Sequence, residues 1–219
     1  MNNLLVSHQV IDMLRYSQSV KKFIFASSYL VYDCALYSSS KKASDPVYLK
    51  ETAQKNPRNL TGAAKYYAEK EIEFFHTNLS RDLQYINARI YRSYGEDSKD
   101  IISRWVRLAL KGEELSLYGR DNSFDYIYAR DVALGLIKLA QTDFIGSVNL
   151  GSGKSVPVAH VIDTLKRSFS KLKVKETKNS VHFENSGADM SLFKQLTKWM
   201  PAHDLQQGIS RIITHEKSK

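Results

Sequence analysis

Residues 23–32 of this 219-residue chain read FIFASSYLVY and carry its clearest structural signal. This stretch opens with a short apolar run that is rich in strand-forming residues and ends at Ser27 and Ser28. Such a run is typical of a buried strand in a parallel sheet. The sequence therefore predicts a buried parallel strand that ends at two serines.

Helices and further strands alternate around this strand. Apolar residues at helical spacing predict an amphipathic helix over residues 3–16, and a polar segment with two prolines predicts a loop over residues 38–59. Further helices are predicted at residues 63–76, 101–111, 131–141, 156–169, 191–196 and 205–213, and further strands at residues 84–90, 115–118, 126–128 and 147–150. This alternation indicates an α/β protein with a largely parallel sheet.

Composition excludes several classes of protein. Hydrophobic residues make up 42% of the chain and charged residues 25%, which argues against a disordered or fibrous protein. Cys34 is the only cysteine and cannot form an internal disulfide, which fits a reducing compartment. The N-terminus lacks the features of a signal peptide, and no apolar stretch is long enough to span a membrane. We therefore expect a soluble cytoplasmic protein.

The net charge of +9 raises the question of a polyanionic partner. The lysines are scattered and form no platform interleaved with aromatic residues, so a solvated basic surface is favoured and a nucleic acid is not expected. A phosphorylated small-molecule substrate also suits this charge.

Four more segments follow the first in a fixed order: LTGAAKYYAEK (residues 60–70), RIYRSYG (89–95), FDYIYARDVALGL (124–136) and VNLGSG (148–153). Together the five segments resemble the NAD-dependent epimerase/dehydratase family, the extended short-chain dehydrogenase/reductases that act mostly on nucleotide sugars. The resemblance implies an incomplete Rossmann-like core, mainly parallel with flanking helices, over residues 1–95 and 123–150. It also implies a small α/β substrate lobe over residues 96–122 and 151–219.

The resemblance implies NAD or NADP as the cofactor, but the family's glycine-rich phosphate-binding turn is absent. Because the first glycine is Gly62, such a turn cannot lie in residues 1–61. The pattern that begins at Gly151 and Gly153 has Val156 in place of a third glycine, which matches a strand-exit turn of the family. We expect the missing opening units to lie on a separate chain, to be lost by truncation, or to be replaced by an unusual mode of cofactor binding.

The family's catalytic trio is a Ser or Thr after the mid-sheet strand, then a Tyr and a Lys at i and i+4 on one helix face. By resemblance, Ser28 and Lys65 occupy the Ser and Lys positions, and Lys65 also contacts the cofactor. Thr61 stands in place of the Tyr. A threonine hydroxyl ionises far above the phenol pKa of about 10, so Thr61 is a poor substitute. Strand-end capping by Ser28 and a solvated Lys65 are the structural alternatives.

Tyr66 and Lys70 also satisfy the Tyr-x-x-x-Lys spacing. Tyr66 lies five residues after Thr61, which rotates it about 140° around the helix and toward another face. Tyr66 is therefore either a catalytic acid in a second register or a packing or surface tyrosine.

Two departures from the family concern the substrate, and a third position concerns a helix end. Phe124 replaces an arginine that neutralises a nucleotide diphosphate, and Arg92 replaces an asparagine that contacts the substrate. Arg92 is either an anion contact from a new direction or a surface arginine.

Asp131 is assigned as an N-terminal helix cap.

No metal is predicted, because the six histidines are dispersed. They are His8, His76, His160, His182, His203 and His215.

Two functional classes remain open, and neither involves a membrane. The first is an NAD(P)-dependent sugar epimerase, dehydratase or reductase related to nucleotide-sugar-modifying enzymes, impaired or dependent on a missing N-terminal half. The second is a non-catalytic binding or assembly module derived from that family. Missing neighbours should leave an open strand edge and an apolar face, which predicts a homo-oligomer or a complementing N-terminal chain.

Overall fold

The fold is described from a computed structural model, which covers residues 2–14, 16–17, 19–40, 45–78, 83–177 and 183–219. The helices are α1 (Asn2–Leu14), α2 (Leu60–Asn78), α3 (Ile101–Leu110), α4 (Ala129–Ala140), α5 (Val158–Ser168), α6 (Ser191–Thr197) and α7 (Leu205–Lys217). The strands are β1 (Lys22–Ser28), β2 (Ser38–Ser39), β3 (Val47–Leu49), β4 (Gln84–Ile90), β5 (Arg92–Tyr94), β6 (Leu115–Tyr118), β7 (Ser123–Tyr128), β8 (Gly146–Leu150), β9 (Ser155–Pro157), β10 (Val174–Thr177), β11 (Phe183–Glu184) and β12 (Ser186–Ala188).

A parallel sheet in the order β1-β4-β8 forms the core, with Phe25 opposite Asn87 and Ala88 opposite Val148. Helices α1 and α2 cover one face, where Ile11 packs near Phe25. Helices α4 and α6 cover the other face. Strand β4 is buried over residues 85–89, including the polar side chains of Asn87 and Arg89, whereas β1 is only partly buried.

A second unit contains the three-stranded sheet β5-β7-β9 and the parallel pair β6-β10. Helices α3, α5 and α7 pack around it, and a separate apolar cluster fills its interior. Strand β7 pairs with both β5 and β9, so it links the two predicted lobes. The proposed division into residues 1–95 and 123–150 against 96–122 and 151–219 stays a prediction.

Two short strand pairs connect distant parts of the chain. Strand β2 pairs with β11, and β3 pairs with β12. The loop predicted at residues 38–59 therefore contains two strands, and the prediction was wrong there. Each of these strands is two or three residues long and has a partner far along the chain, so no local pattern reveals it.

The predicted fold class is confirmed: the chain is a mixed α/β protein with mainly parallel strand pairing. The helix predicted at residues 3–16 includes residue 15, which lies outside the described residues. Within the described ranges, no helix combines the length and the apolarity that crossing a membrane requires.

Candidate functional site

Ser28 closes strand β1 and leads directly into a 3₁₀ turn, Tyr29–Val31. Its hydroxyl oxygen accepts the N–H of Leu30 at 3.3 Å, so Ser28 caps this turn. That bond uses an oxygen lone pair and leaves the hydroxyl proton available to donate. Ser28 therefore has the predicted structural role, and its geometry also allows it to donate to a substrate oxygen.

The first turn of α2 packs closely against the turn after β1. Asn59 caps the helix by accepting the N–H of Gly62 at 2.8 Å. A Cβ atom added at Gly62 would lie 2.3 Å from the carbonyl oxygen of Leu30, so only glycine fits this contact. The neighbouring residue Thr61 is exposed. Thr61 thus lies in the first turn of α2, at the helix end that touches the segment following Ser28.

Lys65 reaches back to the carboxyl end of β1. Its Nζ donates to the carbonyl oxygen of Ala26 at 2.7 Å and lies 4.7 Å from the ring centroid of Phe25. Burial lowers the pKa of Lys65 below the ordinary lysine value. Two of the predicted residues, Ser28 and Lys65, therefore lie at the same end of one strand.

Tyr66 and Lys70 lie elsewhere. Tyr66 is half-buried and packs against the apolar cluster that includes Tyr29 and Tyr32. Lys70 is exposed, pairs with Glu73 at 2.6 Å and lies 5.8 Å from the Tyr66 ring. The lysine that contacts the end of β1 is thus Lys65, and catalysis by Tyr66 stays a prediction.

A buried ion pair fixes α2 on the sheet. The guanidinium of Arg89 on β4 donates to the two carboxylate oxygens of Glu69 at 3.0 and 2.7 Å. It also donates to the hydroxyl of Tyr32 at 3.2 Å. Because Glu69 lies one turn after Lys65, this pair fixes the helix face that carries Lys65.

Arg92 and Phe124 are in direct contact. The guanidinium carbon of Arg92 lies 3.6 Å from the Phe124 ring centroid, which is a stacked cation–π arrangement. Arg92 also pairs with the buried carboxylate of Glu184 at 3.7 Å. The two residues predicted for substrate binding are therefore neighbours, joined through the β5-β7 pairing.

Arg58, Glu184 and Tyr29 complete this cluster, and sequence reasoning missed all three roles. Arg58 donates to Glu184 at 2.5 Å, and the hydroxyl of Tyr29 donates to the other carboxylate oxygen of Glu184 at 3.2 Å. Burial raises the pKa of Tyr29 to about 12, although the nearby arginines oppose the rise. Arg58 and Glu184 are 126 positions apart, so no sequence signal could have paired them.

The turn at residues 151–153 is a strand-exit turn from β8, as predicted. The carboxylate of Asp125 accepts the N–H groups of Ser152 at 2.7 Å, Gly153 at 2.9 Å and Ala188 at 3.1 Å. A Cβ atom at Gly151 would lie 2.6 Å from that carboxylate. Because Asp125 already binds these N–H groups, this turn does not fit a cofactor phosphate, and we derive no hydride-transfer step through it.

The assignment of Asp131 as a helix cap was wrong. Helix α4 has Tyr128 at its N-cap without a side-chain hydrogen bond, and Asp131 lies within the first turn. Its carboxylate instead accepts the backbone N–H of His203 and contacts the His203 ring nitrogen, both at 2.9 Å. The physical reason is tertiary: the segment before α7 brings a donor to this buried carboxylate.

No group of three or more His, Cys, Asp or Glu side chains within the described ranges is placed to hold a metal ion. His182 lies outside those ranges. The absence of a metal stays a prediction.

The site thus lies where a Rossmann-like sheet ends, with a serine, a lysine on the following helix and an arginine cluster at one edge. The sequence profile of the NAD dependent epimerase/dehydratase family matches residues 1–151. The chain belongs to this family, and the resemblance found in the sequence is confirmed.

Relatives and solved structures agree with this assignment. The chain is 23% identical over 204 residues to UDP-glucuronate 4-epimerase of Thermodesulfobacterium geofontis, covering 90% of this chain and 60% of that protein. It is 24% identical over 141 residues to UDP-glucuronic acid decarboxylase 1 of Arabidopsis thaliana, covering 60% of this chain and 32% of that protein. The chain thus spans less than two thirds of the length of these curated relatives.

Two solved structures share the fold at a TM-score of 0.84 and 20% identity, each over 99% of this chain. One is TunA, an NAD-dependent NDP-hexosamine 5,6-dehydratase of tunicamycin biosynthesis, of which 70% is covered. The other is UDP-glucuronic acid 4-epimerase of Bacillus cereus in complex with UDP-glucuronic acid and NAD, of which 67% is covered.

Proposed function

We propose that this chain carries the sugar-nucleotide site of an NAD(P)-dependent epimerase/dehydratase-type protein whose own catalysis is impaired. The observation that carries this proposal is the bond from Lys65 to the Ala26 carbonyl, beside Ser28. This bond supports the assignment of Lys65 and Ser28 to the family's lysine and serine positions at the carboxyl end of β1. The relatives named for UDP-glucuronate chemistry support the substrate class.

Each residue has a defined task in this proposal. Ser28 donates its free hydroxyl proton to a sugar oxygen, and Lys65 binds the ribose hydroxyls of NAD(P). When bound, NAD(P) supplies the hydride acceptor or donor. Thr61 cannot transfer a proton as a tyrosine does, because an aliphatic hydroxyl does not ionise near the phenol pKa of about 10. Turnover of the sugar nucleotide is therefore slow, whereas binding of the sugar nucleotide is retained.

Dependence on an additional strand follows from the edge of β1. Among the described residues, only β4 pairs with β1. The Gln84 N–H donates to the Lys21 carbonyl, so the alternation along β1 directs the backbone groups of Ala26 to the opposite edge. The Lys65 ammonium donates a hydrogen bond to the Ala26 carbonyl at that edge. A strand that paired there would donate a backbone N–H to this carbonyl instead, and the Lys65 ammonium would then be free to bind the cofactor.

Apolar side chains on the helices that cover the core sheet support the same proposal. Met13 on α1 is 70% exposed and Ile137 on α4 is 55% exposed. In this proposal, the added strand and its helices cover them. The added strand comes from an N-terminal cofactor-binding unit or from a second copy of the chain.

The alternative function is a non-catalytic binding or assembly module. The exposed Thr61 in place of a tyrosine favours it. The two functions differ in whether an added cofactor-binding unit produces turnover.

Calorimetric titration of the purified chain tests the proposal. We expect UDP-glucuronic acid or UDP-glucose to bind, and NAD(H) and NADP(H) to bind weakly in the absence of an added unit. Lys65→Ala should abolish the residual dinucleotide binding, whereas Lys70→Ala, on the same helix, should leave it unchanged. Failure of both sugar nucleotides to bind would overturn the proposal.

A further inference from the structure

The two residues that depart from the family pattern, Arg92 and Phe124, are in direct contact. The family carries an arginine where this chain has Phe124 and an asparagine where it has Arg92. The Arg92 guanidinium stacks on the Phe124 ring, with 3.6 Å between the guanidinium carbon and the ring centroid. Relative to the family pattern, β7 thus lacks an arginine and β5 carries one instead. The Phe124 ring on β7 orients the Arg92 guanidinium on β5.

Arg58 places a second guanidinium at the same point. Both arginines pair with Glu184, which is buried and also accepts the hydroxyls of Tyr29 and Ser186 at 3.2 Å each. Two arginines and one carboxylate leave a net charge of +1. The side chain of Arg92 remains 33% exposed, so a ligand can reach the cluster from solvent.

The cluster also contains donors without acceptors. In the part of the chain that the structure describes, the buried Nε of Arg92 has no hydrogen-bond partner, and neither does the hydroxyl of Tyr37. Tyr37 is 3% exposed, and its ring centroid lies 5.9 Å from the Arg58 guanidinium carbon. Buried polar groups in native proteins are normally satisfied, so unsatisfied donors beside a net positive charge indicate a site for an anion.

We infer that Arg92 and Arg58 bind an oxyanion of the substrate, with Phe124 as the stacking platform and Glu184 as the fixed counter-ion that positions both arginines. The oxyanion is the diphosphate of a sugar nucleotide or the carboxylate of a uronic acid. This inference rests on the proposed function for the substrate class. It assigns the specificity of the site to residues that the family pattern does not contain.

Calorimetry with three probes tests the inference: inorganic pyrophosphate, UDP-glucose and UDP-glucuronic acid. Loss of one charge-assisted contact predicts that Arg92→Gln weakens binding about 10- to 100-fold. Arg58→Gln should have a similar effect. Arg104→Gln, an exposed arginine on α3, is the matched control and should bind all three probes as the native chain does.

The pattern across the probes identifies the oxyanion. An equal loss for UDP-glucose and UDP-glucuronic acid assigns the diphosphate, whereas a loss confined to UDP-glucuronic acid assigns the carboxylate. The double variant Phe124→Arg with Arg92→Asn rebuilds the family pattern and should recover diphosphate binding. Arg92→Lys keeps the charge but loses the planar stack on Phe124, so it should bind the probes more weakly than the native chain does. This variant tests the inference if Arg92→Gln fails to fold.

The inference and the proposed function fail separately. If the sugar nucleotides bind and Arg92→Gln and Arg58→Gln leave their affinity unchanged, the inference is wrong and the proposed function stands. If pyrophosphate binds in an Arg92-dependent way but neither sugar nucleotide binds, the oxyanion site stands and the proposed function is wrong. If no probe binds the native chain, both are wrong.

Discussion

Single residues decide what this chain can do at the end of β1. The Ser28 hydroxyl oxygen accepts a backbone N–H, Lys65 donates to the Ala26 carbonyl near the same strand end, and Thr61 is exposed in the first turn of α2. In the proposed function, the site keeps the groups that orient ligands and lacks the phenol that moves a proton.

The pKa values of the two lysines of α2 should be shifted in opposite directions. Burial lowers the pKa of Lys65, whereas the hydrogen bond to Glu73 raises that of Lys70. NMR titration of lysines labelled at Cε should show Lys65 losing its proton at lower pH than Lys70. The reverse order would show that Lys65 is solvated and does not contact β1.

The buried pair of Arg89 and Glu69 should be costly to break. Glu69→Gln leaves the Arg89 guanidinium buried without its counter-ion, so we expect a loss of about 3–5 kcal/mol in the free energy of unfolding. Glu73→Gln removes an exposed ion pair on the same helix and should cost less than about 1 kcal/mol. Urea unfolding measures both, and equal losses would contradict the role given to Arg89.

At the scale of elements, the contact between α2 and the turn after β1 positions the site. The helix approaches so closely that Gly62 meets the carbonyl of Leu30. This contact brings the first turn of α2, and with it Thr61, to the segment that follows Ser28.

Gly62→Ala tests this contact. Alanine favours helix formation, but its Cβ would lie 2.3 Å from a backbone oxygen, so we expect a net loss of about 1–3 kcal/mol in unfolding free energy. Thr61→Ala, at the adjacent exposed position, should change stability by less than about 0.5 kcal/mol. Stabilisation by Gly62→Ala would show that the helix lies farther from the turn.

Local patterns predicted the elements that carry their own signal. Strand β4 was predicted at its observed bounds, because the aromatic and β-branched residues Tyr85, Ile86 and Ile90 favour a strand without reference to partners. The two-residue strand β11 and the pairing of Arg58 with Glu184 depend on partners far along the chain, so sequence could not reveal them. Asp131 was misassigned for the same reason, since its partner His203 lies 72 positions away.

At the scale of the whole molecule, the proposed assembly depends on the edge of β1 that faces away from β4, where none of the described strands pairs. Alternation along the strand directs the N–H groups of Phe23 and Phe25 toward β4 and those of Ile24 and Ala26 away from it. Hydrogen exchange measured by NMR should therefore be faster at Ile24 and Ala26 than at Phe23 and Phe25. Equal protection would mean that another strand already covers this edge.

We propose above that the carboxyl end of β1 binds a sugar nucleotide. An NMR titration of the ¹⁵N-labelled chain with UDP-glucuronic acid tests this binding. We expect chemical-shift changes centred on Ser28, Lys65 and Arg92. Changes confined to other parts of the chain, or none at millimolar ligand, would contradict it.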